Sequence, residues 1–168
     1  MSSPTAKDVA SIIAHVGEIV GRTKLQKTAA LLELTGLGSG FKFSYHHYGP
    51  YSEQLANTAD RAILLGLVSE SPRRAAWGGH YSIFSTPKRA EENPSRAKII
   101  EISAQANAVA LELAVTAAFV AEDEHSDEPW AIVAARKPEK ATEANMKAAK
   151  ELYKQFREVN APKPLPEI

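Results

Sequence analysis

The chain has 168 residues, 44% hydrophobic and 24% charged, with twenty Lys/Arg balanced by twenty Asp/Glu and no cysteine. That length supports one good hydrophobic core and leaves little for a second, so a single domain spanning residues 1–168 is expected. Missing cysteine excludes disulfides, thiol nucleophiles and cysteine-ligated zinc or iron–sulfur clusters, and a zero net charge argues against strong nonspecific polyanion binding.

Met1-Ser2-Ser3-Pro4 leads into an amphipathic segment rather than an apolar leader, and no run approaches bilayer length, so a cytoplasmic protein without membrane contact is expected. Charge is unevenly spread. Residues 1–90 carry a net +4, residues 91–128 a net −7 and residues 129–168 a net +3. An acidic middle between mildly basic flanks reads as a solvated surface or an intramolecular match, or else as a surface for a basic partner.

Val9, Ile12, Ile13, Val16 and Val20 recur at spacings of three and four between Asp8 and Gly21, which predicts one amphipathic helix. Thr23 is placed to cap a second helix through Leu25, Ala29, Leu32 and Leu34, released at Thr35-Gly36-Leu37-Gly38-Ser39-Gly40. The glycines follow a helix instead of opening one, so they read as a terminator and turn rather than a phosphate loop. Phe41, Phe43 and Tyr45 then alternate with polar residues in a short half-buried extended piece. Tyr48-Gly49-Pro50-Tyr51 turns the chain into a third helix, capped by Ser52 and ending near Leu65-Gly66.

That third helix has two predicted faces. Leu55, Ala59, Ala62 and Ile63 form the apolar one; Gln54, Asn57, Thr58 and Arg61 form a polar one able to read base edges or to contact a protein. Two strands around Pro72–Gly79 predict a β-hairpin, which after a helix-turn-helix unit is a wing. Arg73 and Arg74 are expected at its tip, where basic residues meet phosphate, and Trp77 nearby suits a protein contact.

From Asn93-Pro94-Ser95 the pattern is helical. Ile99, Ile102, Ala106, Val109, Leu113, Thr116 and Val120 keep a three-four rhythm in one long helix, or in two with a break between Ser103 and Asn107; so long a seam also suits a homodimer. Glu122–Glu128 reads as an acidic loop. Pro129 opens a short helix stopped by Lys137-Pro138, and a last helix from Thr142 turns Met146, Ala149, Leu152, Tyr153 and Phe156 inward before an extended, proline-rich tail over residues 160–168.

Three motifs, Lys24-Leu25-Gln26-Lys27, Tyr48-Gly49-Pro50-Tyr51-Ser52 and Leu65-Gly66-Leu67-Val68, followed by a helical second half interrupted at Lys137-Pro138, give residues 8–158 a resemblance to the SocA-like, or Panacea, antitoxin-domain proteins, especially their YwgA-like branch. The resemblance implies that the Leu-Gln-Lys helix start packs on the Tyr-Gly-Pro turn. It also implies an antitoxin-like protein acting by direct contact with a partner protein, such as a toxin encoded nearby.

Catalytic constellations fail on spacing. His46 and His47 are adjacent in an extended piece and point to opposite faces, His15 and Glu18 share a helical face without further ligands, and the 122–128 carboxylates form no fixed pair. The expectation is therefore a mainly α (α+β) chain with a winged-helix-like lobe over 8–90 and a helical lobe over 91–159. It is expected to be neither an enzyme nor a cofactor or metal binder, acting through a protein partner or, alternatively, as a DNA-binding regulator with its third helix in the major groove.

Overall fold

The computed structural model describes residues 3–47 and 49–168; Tyr48 of the predicted turn lies outside the described residues. The elements run α1 (Ala6–Ala14), β1 (Glu18–Val20), α2 (Arg22–Leu34), β2 (Ser44–His46), β3 (Gly49–Tyr51), α3 (Glu53–Leu64), β4 (Ser69–Arg74), β5 (His80–Ser85), α4 (Pro94–Gln105), α5 (Ala108–Asp123), α6 (Pro129–Arg136) and α7 (Glu143–Arg157). The chain is mainly α with small antiparallel sheets.

The first half carries a three-stranded sheet in the order β1-β5-β4, with α1, α2 and α3 packed beside it, which is the strand and helix order of a winged helix. β2 and β3 form a separate hairpin immediately before α3.

The predicted helix from Asp8 through Val20 is corrected here. Thr5 donates its backbone N–H to Asp8 and closes the start of α1, but Gly17, at φ +84°, takes the chain out of the helix, and Glu18–Val20 become β1. Ile19 then pairs with Phe84, both fully buried. A three-residue strand with one inward isoleucine looks like helical spacing when read alone. With β1 taken, His15 and Glu18 no longer share a helix: the His15 ring accepts from the Glu91 N–H and lies 3.2 Å from the Glu101 carboxylate.

Thr23 does not cap α2. The N-cap is Gly21 at φ +97°, with Arg22 already helical. The extended piece is also shorter than predicted: Phe41 to Phe43 are outside any strand, though Phe41 is buried. Ser52 caps α3 as expected, its hydroxyl accepting the Leu55 N–H at 3.0 Å.

In the second half, Asn93 caps α4 and Asn107 caps α5, so the predicted seam is two helices broken at Ala106-Asn107. Every residue of α5 from Ala110 to Val120 is buried, because α2, α6, α7 and β3 surround it. The seam that suggested a homodimer is thus covered from within one chain. α5 continues through Asp123, so the acidic loop starts later than predicted.

Pro129 occupies the first turn of α6, and Thr142 caps α7, whose Ala149, Leu152, Tyr153 and Phe156 face inward. One hydrophobic cluster runs from Ala6 to Leu165. The proline-rich tail is extended but docked: Leu165 is buried, the Tyr153 hydroxyl donates to the Pro166 carbonyl at 2.5 Å, and the Lys163 N–H donates to the Thr35 carbonyl.

Candidate partner-binding surface

Four consecutive residues at the start of α2 seat α3. The Lys24 ammonium donates to the Ala104 and Ala106 carbonyls at 3.1 and 2.7 Å, closing the C-terminal end of α4 where acceptors lack helical partners. Leu25 enters the core. The Gln26 amide donates to the Ser52 carbonyl at 2.9 Å and accepts the Ser52 N–H at 2.8 Å, so both backbone groups of the α3 cap are satisfied in a buried place. Lys27 donates to the Pro50 carbonyl at 2.7 Å. The Lys24–Lys27 motif is a bracket holding α4, the β2–β3 hairpin and α3, and Gly49 completes it: at φ +91°, a Cβ there would collide with the Thr116 hydroxyl of α5.

Of the predicted polar face of α3, Asn57 and Arg61 are exposed. Gln54 is half-buried and accepts the Lys42 N–H at 3.2 Å. Thr58 is a correction, being only 7% exposed, with its hydroxyl donating to the Gln54 carbonyl. Leu55, Thr58, Ala59 and Ala62 stand at i, i+3, i+4 and i+7, so Thr58 falls inside the apolar stripe and satisfies its hydroxyl locally. The open face also carries Glu53 and Asp60, leaving α3 with one more acid than base.

β4 and β5 form the wing, with Arg73 opposite Tyr81 and Arg74 opposite His80. Both arginines are exposed at the end of β4 rather than at the tip, which is Ala75–Gly79 and holds Trp77, 81% exposed. Register assigns the two sheet faces. Ile19 and Phe84 point inward, whereas Val20, Ile83, Ser71, Tyr81 and Arg73 share the outer face by pairing and alternation. Val20 and Tyr81 there are exposed, as are Leu64 and Leu65 at the end of α3. Arg22 ties α3 to the wing, 2.7 Å from Glu70 and 3.6 Å from Asp60, with its guanidinium over the Phe84 ring. Exposed apolar side chains thus occur on the outer face of the sheet, which also carries Arg73, and at the end of α3, which also carries Arg61; Arg74 alternates to the other face.

A second polar assembly joins Lys27, Glu112, Lys137 and Lys140, too widely separated along the chain for any local spacing to signal it. Glu112, on the all-buried α5, accepts from Lys137 at 3.0 Å and from Lys140 at 2.9 Å, and the Lys137 ammonium also donates to the His47 carbonyl at 3.2 Å. Burial pulls the pKa of nearby Lys27 from 10.5 down to about 8; Glu112 opposes that shift, and Lys137 and Lys140 reinforce it. The only available signal was a glutamate on an otherwise apolar helix, which demands a partner. Among the described residues no three His, Asp or Glu side chains gather as a metal site, and no helix is long and apolar enough to cross a membrane.

Comparison with known proteins is sparse. The uncharacterized protein YwgA of Bacillus subtilis (strain 168) is 33% identical over 70 residues, which cover 42% of this chain and 41% of that relative. No family model matches the chain, and no solved structure matches it.

Proposed function

We propose that this protein acts without catalysis, by docking the exposed side of α3 and the wing onto a partner protein, in a regulatory, antitoxin-like role of the kind its resemblance to the SocA-like proteins implies. One observation carries the reading: Val20, Leu64, Leu65, Trp77 and Tyr81, the large exposed apolar side chains among the described residues, all belong to the wing sheet, its tip or the end of α3. Aromatic side chains rimmed by arginine are the usual anchors of protein interfaces. The partner reading predicts that the chain co-elutes with the product of a gene adjacent to its own, and that Asn57→Ala, Arg61→Ala and Trp77→Ala weaken that complex. Co-elution indifferent to all three rejects this face.

DNA is the second reading, favoured by the winged-helix element order and by exposed Arg73 and Arg74 on β4. Against it stands the acidic balance of α3, since Glu53 and Asp60 would face phosphate at close range. A mobility-shift titration over salt separates the two: DNA binding must appear at low salt and fall with the logarithm of salt concentration.

A further inference from the structure

Around Glu112 the charges do not balance. Lys137 and Glu112 each expose 4% of their side chains and pair directly, while Lys27, 1% exposed, donates to the Pro50 carbonyl, so two buried ammonium groups lie near one carboxylate even with Lys140 left aside. Lys140, about one-third exposed, draws on that carboxylate too, through both oxygens. An unbalanced charge in a low-dielectric interior is strongly disfavoured, and the neighbouring carbonyls of His47 and Pro50 supply only dipoles. Beside this cluster a pocket of about 300 Å³ opens to solvent, lined by His47, Arg136, Lys137, Pro138, Glu139 and Lys140. Its size is at the lower end for small-ligand sites.

We propose that this pocket binds a small oxyanion, a phosphate or carboxylate group, which supplies the negative charge that the buried lysines lack. Arg136 is already matched by a two-bond pair with Glu124 at 2.6 and 2.8 Å, so it shapes the wall rather than holding the ligand. Glu139 is exposed, so solvent screens its repulsion of an incoming anion. The ligand is held by Lys137 and Lys140, with Lys27 adding charge from behind. Its lining shares no residue with the α3–wing surface, and its test does not depend on the partner reading.

The experiment is a calorimetric titration of the full chain with inorganic phosphate and, separately, with malonate, at constant ionic strength set by chloride. Saturable binding of phosphate alone assigns a phosphoryl ligand, and of malonate alone a carboxylate ligand. Lys140→Gln is expected to weaken binding about tenfold, the loss of one charge-assisted hydrogen bond, while Lys154→Gln on α7 leaves it unchanged. Glu112→Gln, if folded, is expected to tighten binding by removing the competing carboxylate. No saturable binding of either anion to the unmodified chain overturns the proposal, and so does equal binding by Lys140→Gln.

Discussion

Gln26 and Ser52 hold each other by two hydrogen bonds, side-chain amide to backbone, at 2.9 and 2.8 Å in a fully buried setting. A glutamine thereby stands in for a neighbouring strand, satisfying the N–H and the carbonyl of the residue that caps α3. Gln26→Leu strands both groups away from water and is expected to cost about 3 kcal/mol. Urea unfolding at neutral pH measures this; a loss below about 1 kcal/mol would mean the cap finds other partners.

Lys27 makes stability pH-dependent in an unusual direction. The unfolded chain keeps this proton to about 10.5 and the folded chain only to about 8, so between those values the unfolded state holds more protons and stability rises with pH. The rise is worth about 3 kcal/mol over the whole window. Burial raises the Tyr153 pKa, and above its ordinary value of 10.0 that opposes the gain, so the rise is clearest from about pH 8 to pH 10. Urea midpoints across that range should climb in the unmodified chain and climb much less in Lys27→Met, where Lys24, its pKa also lowered by burial, still contributes.

Gly49 tests how closely the hairpin approaches α5. Gly49→Ala introduces left-handed strain, worth about 1–2 kcal/mol, and a collision with Thr116. Adding Thr116→Ala is expected to relieve the collision and leave the strain, so the double variant should be more stable than the sum of independent effects allows. Strict additivity of the two changes in thermal unfolding would refute the contact.

Much of the architecture was legible in the sequence because caps and periodicity are local. Ser52, Asn93, Pro129 and Thr142 all mark helix starts, and the wing strands announced themselves on either side of a glycine-containing turn, although Pro72 lies within β4. What stayed hidden was long-range. Val20 obeyed a helical rhythm yet pairs with Ile83, more than sixty residues on. Thr58 shares the spacing of the exposed polar residues yet is buried, since a hydroxyl that bonds its own helix behaves as an apolar side chain would. The lysine–glutamate cluster joins α2, α5 and the α6–α7 connection, and no spacing rule links those positions.

Ser103 offers a stabilising change. Its hydroxyl is fully buried and, among the described residues, has no hydrogen-bond partner. Ser103→Ala removes the unsatisfied group and is expected to add about 1 kcal/mol, a rise in Tm of about 2–4 °C for a chain this size. Calorimetry showing a lower Tm would mean the hydroxyl is bonded after all.

The wing and the scaffold should respond separately. Trp77→Ala is expected to change unfolding free energy by less than about 0.5 kcal/mol, because the ring is 81% exposed. A stability loss of several times that would tie the indole to the fold instead of to a partner.

From Arg22 to Lys27, barely two turns of helix reach the wing, the end of α4, the cap of α3 and the β2–β3 hairpin. Such a hub resists drift, since any replacement there is felt in several distant places at once. Divergent descendants of this chain would preserve that hexapeptide while rewriting the wing freely, acquiring fresh targets on an unchanged chassis.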